Sequence, residues 1–223
     1  MISFGYGARG LLCKAGLALM VSTGVVHADT VTIAALGDSL TAGYGLPNGD
    51  GFVPQMQAWL DAQGADVILV NAGVSGDTTA GGLSRTDWTL TPDVDAMIVA
   101  LGGNDYLRGI DPAVSRANLD GILAKAEAAD VESLLVGITA GANYGADYQT
   151  AFNGMYLDLA AGYDLPLYPT FFAGILAEVT RQEDVANFMQ SDGIHPNQDG
   201  VALIVAAMGP SVLALAEGVL QGE

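Results

Sequence analysis

The sequence predicts an α/β fold in which helices cover a parallel sheet. Short apolar runs rich in β-branched residues alternate along the chain with longer amphipathic segments, as they do in βα units. The 223 residues are 51% hydrophobic and 14% charged, which excludes collagen, a coiled coil and a disordered chain. A chain of this length buries a core without metals or disulfides, so one globular domain is expected.

Five apolar runs have the length and residue types of buried strands. They are Val31 to Leu36, Val67 to Val70, Ala96 to Leu101, Ser133 to Ile138 and Leu165 to Tyr168. Two segments between them place apolar residues on one helical face: Val53, Met56, Trp59 and Leu60, and Leu119, Ile122, Leu123 and Ala126.

Helix ends are also visible in the sequence. Asp111 followed by Pro112 is typical of an N-cap and a first helical residue. The last element, Val201 to Leu220, has one apolar stripe. Because proline lacks the backbone N–H, we expect Pro210 to kink or divide this helix.

The charge balance limits the classes of partner. Seven basic and 25 acidic residues give a formal net charge of −18, which opposes nucleic-acid backbones and anionic membrane surfaces. Neither is expected as a partner, and no obligatory protein partner is evident. A neutral or locally steered substrate remains open.

The first 28 residues are typical of a secretory signal peptide. Arg9 and Lys14 precede an apolar run from Ala15 to Val26, and small residues end the segment at Ala28. The run is shorter than the ~20 residues that span a bilayer. The prediction is therefore a signal peptide over 1–28 and one domain over 29–223, exported to the periplasm or secreted, with no stable membrane anchor after cleavage. A retained anchor is the alternative.

Cleavage after Ala28 changes the chemistry available to the chain. Residues 29–223 hold five basic and 25 acidic residues, a net charge of −20, and lack the single cysteine, Cys13. His195 is then the one histidine. A mature chain with one histidine and no cysteine offers little from which to build a zinc site, so no metal is expected.

Polar residues cluster where the predicted strands end. In open parallel sheets the functional groups lie in loops beyond the carboxyl ends of the strands. The first three strands run into the segments 37–40, 71–78 and 102–105. A fourth polar segment, 191–197, precedes the last helix.

Ser39, His195 and Asp192 have the residue types of a nucleophile, a base and a group that orients the base. Asp192 lies three residues before His195 and could reach Nδ1 across a short turn. Each residue also has an ordinary structural interpretation. Ser39 could be a helix cap, His195 a surface histidine and Asp192 part of an Asx-turn.

Gly76 and Asn104 are candidate donors to an oxyanion. Glycine lets a backbone N–H approach a substrate closely, and an asparagine at a strand end can supply a directed N–H. Both residues also lie in segments that are typical of plain turns.

Together and in this order, these segments resemble the GDSL, or SGNH, hydrolase family. The resemblance runs from Gly37-Asp38-Ser39-Leu40 to Asp192-Gly193-Ile194-His195-Pro196, almost the whole of 29–223. Segments 75–78, 101–105, 107–109 and 142–145 are similar to the exported bacterial thioesterase, arylesterase and lysophospholipase branch.

The resemblance implies a three-layer α/β/α sandwich with a central five-stranded parallel sheet. It implies that Ser39 is the nucleophile, His195 the general base and acid, and Asp192 the orienting carboxylate. Ser39 N–H, Gly76 N–H and the Asn104 side chain would form the oxyanion hole, and no cofactor is implied. The substrate would be a small-molecule acyl ester or thioester. Carbohydrate O-deacetylation and a catalytically silent binding module are the alternatives.

Two residues depart from the family pattern. Tyr106 stands where relatives tend to have a small residue, and Gly141 stands where they have proline. The resemblance implies an acyl groove lined by 78–88, 106–110 and 142–148. Trp88, Tyr106 and Tyr144 would line it or simply pack within their loops.

Overall fold

Residues 30–222 fold around a five-stranded parallel sheet in the computed structural model, which also describes residues 1–3 and 5. The predicted cleavage point after Ala28 and the apolar run before it lie outside the described residues. The strands are β1 Val31–Gly37, β2 Val67–Gly73, β3 Ala96–Ala100, β4 Glu132–Val136 and β5 Leu167–Tyr168. Their spatial order is β2-β1-β3-β4-β5. The predicted fold class is confirmed.

Helices form a layer on each face of the sheet. They are α1 Ser39–Ala42, α2 Phe52–Ala62, α3 Thr79–Thr89, α4 Gly103–Leu107, α5 Pro112–Ala128, α6 Ala146–Tyr163, α7 Ala173–Glu178 and α8 Gln198–Gly222. Short 3₁₀ helices span Ala142–Tyr144 and Gln182–Phe188. In one layer α8 packs against α2 and α7, and in the other α5 packs between α3 and α6.

The register of the sheet brings three strand ends to one level. Gly37 at the end of β1 pairs with Gly73 of β2 and with Ala100 of β3. Because the strands are parallel, the segments that follow them emerge side by side at the carboxyl edge. This edge carries the polar junctions that the sequence singled out.

The strand bounds differ from the predicted ones by one or two residues at β1, β3 and β4, and the lengths differ most at β2 and β5. The structure extends β2 to Gly73, since Asn71 to Gly73 pair with β1 through their backbone although the apolar pattern ends at Val70. Strand β5 is reduced to Leu167–Tyr168, which pair with the end of β4 at the edge of the sheet.

The N-cap of α5 matches its prediction. Asp111 caps the helix by accepting a hydrogen bond from the Ala113 N–H at 2.9 Å, and Pro112 is the first helical residue. Proline suits this position because a first-turn N–H has no partner inside the helix.

Pro210 lies inside α8 without dividing it, so of the two predicted outcomes, a kink or a division, the division does not occur. Pro210 and Ala206, whose carbonyl would have accepted from residue 210, are both exposed, and an exposed carbonyl can be hydrated instead. Met208 and Val212 are buried on either side and hold the two halves on the core.

Helix α8 is also long and apolar enough to cross a membrane, by length and composition only, with a mean hydropathy of 1.9. Its large aliphatic residues form a buried stripe against the sheet and the neighbouring helices: Val201, Ile204, Val205, Met208, Val212 and Leu215. This buried stripe accounts for part of the apolar composition, since 39% of the most apolar stretch is buried.

Candidate active site

Ser39 lies at a sharp turn from β1 into α1. A Cβ at Gly37 would collide with the Thr41 side chain, so this turn requires glycine. Asp38 caps α1 by accepting a hydrogen bond from the Leu40 N–H at 3.0 Å. Ser39 is the first helical residue, and its N–H therefore has no partner within the helix.

His195 and Asp192 lie in the loop before α8. One carboxylate oxygen of Asp192 accepts from the backbone N–H groups of Ile194 at 2.9 Å and His195 at 3.0 Å. The other oxygen contacts Nδ1 of His195 at 2.6 Å. Asp192 thus makes the Asx-turn with one oxygen and contacts the imidazole with the other.

The fold brings Ser39 and His195 into contact across 156 residues of chain. His195 Nε2 lies 2.8 Å from Ser39 Oγ, which completes a hydrogen-bonded series from the hydroxyl through the imidazole to the carboxylate. The Tyr44 ring lies against the imidazole with ring centroids 4.7 Å apart. An imidazole held in this way can accept a proton from the hydroxyl.

The Asp192 carboxyl is held in its ionised form. The hydrogen bond from the His195 imidazole, followed by the backbone N–H groups of His195 and Ile194, lowers the pKa of Asp192 to about 2. An ionised carboxylate can only accept, so it favours the imidazole tautomer with hydrogen on Nδ1. That tautomer leaves Nε2 free to accept from Ser39.

Gly76 and Asn104 lie at the same edge of the sheet as Ser39. Gly76 has φ +86°, a backbone conformation that favours glycine, in a turn closed by the Asp77 N–H donating to the Val74 carbonyl at 3.0 Å. Asn104 is the second residue of α4, and its side-chain amide donates to Asp38 at 3.3 Å.

Four of the five predicted site residues line one cavity of about 570 Å³: Ser39, Gly76, Asn104 and His195. Asp192 lies behind His195. The remaining wall is largely apolar and includes Tyr44, Tyr106, Leu107, Ile138, Phe172 and Ile194. The cavity therefore combines a serine hydroxyl, an acceptor for its proton and N–H donors with a surface that suits a hydrocarbon group.

Arg85 supports this edge, although sequence reasoning did not single it out. From α3 its guanidinium donates to the Gly37 carbonyl at 2.8 Å, the Ala72 carbonyl at 2.7 Å and the Asp77 carboxylate at 2.6 Å. These contacts tie together the ends of β1 and β2. The available signal was the scarcity of basic residues, which makes an arginine close to the polar segment 71–78 conspicuous.

Asp105 is a second residue that sequence reasoning treated only as part of a turn. It is fully buried and accepts from the Thr79 N–H and from the Ser115 hydroxyl, each at 2.8 Å. These bonds join α4, which carries Asn104, to the start of α3 and to α5. Asp105 therefore fixes the relative positions of the segments that carry Gly76 and Asn104.

Asp38 is buried beside Ser39, and burial raises its pKa from 3.8 to about 6. The hydrogen bonds from Leu40 and Asn104 oppose this effect without cancelling it.

The structure offers no metal site within the residues that it describes. Among residues 1–3, 5 and 30–222, no group of three or more His, Cys, Asp or Glu is arranged to hold a metal ion.

The prediction that 78–88, 106–110 and 142–148 line an acyl groove is only partly correct. Tyr106 and Leu107 line the cavity, whereas 78–88 and 142–148 do not. Most of 78–88 forms α3, which lies over the sheet, and Trp88 is 85% exposed. Tyr144 packs against Tyr106 with ring centroids 6.1 Å apart and supports the wall from behind.

Comparison with known proteins places the chain in a family. A model of the GDSL-like lipase/acylhydrolase family matches residues 35–203. The chain belongs to this family. The matched range includes Ser39, Gly76, Asn104 and His195, and the predicted resemblance to the GDSL, or SGNH, family is confirmed.

Relatives of the GDSL-like family match most of the chain. Esterase TesA of Pseudomonas aeruginosa is 40% identical over 189 residues, which cover 84% of this chain and 90% of that protein. The thioesterase 1/protease 1/lysophospholipase L1 of Escherichia coli K12 is 37% identical over 189 residues, covering 84% and 85%. The crystal structure of AlinE4, an SGNH-hydrolase family esterase, has a TM-score of 0.67 and 42% identity, covering 82% and 95%. The protein is accordingly an SGNH-type hydrolase of the esterase/thioesterase class.

Proposed function

We propose that the protein is an exported serine esterase and thioesterase that hydrolyses acyl esters through an acyl-enzyme on Ser39. The observation that carries this proposal is the hydrogen-bonded series Ser39–His195–Asp192 at the wall of an apolar cavity. Aryl esters, acyl thioesters and lysophospholipids are the substrate classes. The names of the relatives, an esterase and a thioesterase/lysophospholipase, support the same classes.

In the acylation step Ser39 Oγ attacks the carbonyl carbon while His195 Nε2 accepts its proton. The 2.8 Å separation of the two atoms suits this transfer. The carbonyl oxygen becomes an oxyanion, which accepts from the N–H groups of Ser39 and Gly76 and from the Asn104 amide. When the tetrahedral intermediate collapses, His195 gives the proton to the leaving alcohol or thiol.

Deacylation repeats the same steps with water as the nucleophile. His195 accepts a proton from water, the resulting hydroxide adds to the acyl carbon, and the proton returns to Ser39 Oγ as the carboxylic acid leaves. Asp192 stays ionised throughout and stabilises the imidazolium that forms twice in each turnover.

The lining of the cavity supports a hydrocarbon acyl group over a sugar. Tyr106, Leu107 and Ile138 face a cavity of about 570 Å³, and apolar walls of this kind favour apolar ligands. A carbohydrate O-acetylesterase would need a small acyl site beside an open polar cleft. A silent binding module would not need the serine, histidine and carboxylate in hydrogen-bonding order.

Export is proposed from the sequence. Arg9 and Lys14, the apolar run Ala15 to Val26 and the small residue at Ala28 support a signal peptide over 1–28, with 29–223 as a single domain. Cleavage would leave the domain free of the apolar run, in the periplasm or outside the cell.

A serine-directed fluorophosphonate tests the covalent step. We expect one adduct per chain, mapped to Ser39 by peptide mass spectrometry, and loss of both labelling and esterase activity in Ser39→Ala. Ser84→Ala is the matched control, because Ser84 is exposed on α3 and outside the cavity. An adduct on another serine, or full activity in Ser39→Ala, would contradict the proposal.

A further inference from the structure

We propose that Tyr106 and Gly141 form a specificity-determining pair, in which Tyr106 closes the acyl end of the cavity and Gly141 makes room for its hydroxyl. The pair would limit the length of the acyl chain that the enzyme accepts. This inference rests on the proposed function, because it assigns the apolar part of the cavity to the acyl group.

Large apolar residues line the cavity on both sides of Ser39. Tyr106 and Leu107 follow β3 and Ile138 follows β4, whereas Leu40 and Tyr44 follow β1. An acyl chain that extends from Ser39 toward the β3–β4 side gains apolar contact there and meets the Tyr106 ring.

Tyr106 is held on this side by an aromatic cluster. Its ring lies 6.1 Å from Tyr144, 6.5 Å from Tyr148 and 6.0 Å from Phe152, measured between ring centroids. Phe152 is fully buried. A ring with neighbours on this many sides cannot turn aside without repacking the cluster, so it is a fixed part of the wall.

Gly141 explains where the tyrosine hydroxyl fits. A Cβ at position 141 would lie 3.0 Å from the Tyr106 hydroxyl oxygen. The backbone of Gly141 is extended, with φ −80° and ψ −175°, a conformation that other residues adopt readily. The backbone therefore does not demand glycine, and the space that a side chain would need is taken by Tyr106.

The segment after α4 is also fastened to the aromatic cluster. The Tyr144 hydroxyl donates to the Leu107 carbonyl at 3.2 Å. Gly109 has φ +62°, and a Cβ there would lie 2.8 Å from the Tyr144 ring. The wall that begins at Tyr106 is thus held at both ends, and an acyl chain that reaches it cannot easily displace it.

The test is an acyl-length series of p-nitrophenyl esters, from butyryl to dodecanoyl, with kcat/KM as the readout. Each methylene in apolar contact raises kcat/KM about 4-fold, so removal of a ring that blocks two or more methylenes favours the longer ester at least ~10-fold. We expect Tyr106→Ala to raise the dodecanoyl-to-butyryl ratio of kcat/KM by that factor. Trp88→Ala, which removes an exposed aromatic ring outside the cavity, should leave the ratio unchanged.

A double-mutant cycle tests the coupling between the two residues. Gly141→Ala alone should displace the Tyr106 ring and change the dodecanoyl-to-butyryl ratio of kcat/KM by ~3-fold or more. Tyr106→Phe alone should change this ratio little. In the double variant the new methyl group occupies the space of the lost hydroxyl, and the ratio should return to that of the unmodified protein. A general loss of packing would give additive effects instead.

Three results would overturn this inference. The first is an equal loss of kcat/KM for all esters in Tyr106→Ala. The second is additive effects of Gly141→Ala and Tyr106→Phe on the dodecanoyl-to-butyryl ratio. The third is a changed preference among leaving alcohols while the preference among acyl lengths stays the same. If Tyr106→Ala does not fold, the cycle alone decides. Activity that survives in Ser39→Ala would instead refute the proposed function, whereas Ser39-dependent activity with an unchanged length profile refutes only the pair.

Discussion

Asn104 is oriented by a residue next to the serine. One N–H of its amide donates to Asp38 at 3.3 Å, and the same carboxyl accepts from the Leu40 N–H. The second amide hydrogen is then available to the cavity that Asn104 lines. Asp38 thereby links the start of α1 to the proposed oxyanion donor.

Replacing Asn104 by alanine is expected to slow chemistry without weakening substrate binding. Loss of one oxyanion donor lowers kcat roughly 10²- to 10³-fold, and KM changes little because the ground-state carbonyl needs the donor less. Steady-state kinetics with a rate-limiting acylation step measures both constants. Asn48→Ala, in an exposed loop, is the control. A folded Asn104→Ala with near-normal kcat would mean that the side chain only shapes its turn.

The buried carboxyl of Asp38 should make stability depend on pH. Its pKa is raised from 3.8 to about 6, so between these values the folded chain holds a proton that the unfolded chain has lost. The stability from this group is full below pH 3.8 and is lost as the pH rises through 6. Between pH 4 and pH 7 the free energy of unfolding should therefore fall by up to about 3 kcal/mol more in the unmodified protein than in Asp38→Asn.

Urea unfolding of both proteins at several pH values measures this difference. Groups that do not interact with Asp38 titrate alike in the two proteins, so their contributions cancel in the comparison. A difference in unfolding free energy that stays constant from pH 4 to pH 7 would show that Asp38 is not perturbed.

At the level of elements, α3 secures the loops that surround the proposed catalytic serine. Arg85 holds the Gly37 carbonyl two residues before Ser39, and it pairs with Asp77 directly after Gly76. Asp105 then joins the first residue of α3 to α4. The serine and the oxyanion donors are therefore carried by three short segments with a common support.

Arg85→Met should destabilise the fold and also lower activity. The substitution keeps an unbranched apolar stem but leaves two carbonyls and the Asp77 carboxylate without their donor, which costs about 2–4 kcal/mol. We expect a lower unfolding free energy and a loss of kcat in protein that remains folded. Arg116→Met, on the exposed face of α5, is the matched control and should change stability by less than about 0.5 kcal/mol. Equal effects of the two substitutions would contradict a supporting role for Arg85.

For the molecule as a whole, the acidic surface and the apolar cavity have separate roles. On the surface, Lys125 forms an ion pair with Asp87, and Arg181 forms ion pairs with Glu183 and Asp184. A net charge of −18 keeps molecules apart in solution and disfavours anionic partners. Recognition of the substrate then depends on the cavity and not on long-range attraction.

Export should leave a chain that begins at Asp29. The basic start, the short apolar run and the small residue at Ala28 predict this cleavage point. Intact-mass analysis of protein recovered from the exported fraction measures it directly. A chain that retains residues 1–28 in the membrane fraction would contradict both cleavage and release.

Much of the local structure was accessible from the sequence. The α/β class, the approximate strands, the N-cap at Asp111 and the family resemblance follow from periodicity, residue type and motif order, which act over a few residues. The end of β2 and the continuity of α8 through Pro210 were not accessible, because backbone pairing with β1 and packing against the core decide them.

The sequence by itself determined which residue types stand at the strand ends and in the loop before the last helix, because each is marked by its immediate neighbours. Only the tertiary structure decided which of them meet. Ser39 and His195 are 156 residues apart, Arg85 and Gly37 are 48 apart, and Asp105 and Thr79 are 26 apart. Tyr106 and Gly141 were visible separately as departures from the family pattern, but their contact arises from packing between distant segments, which no local pattern encodes.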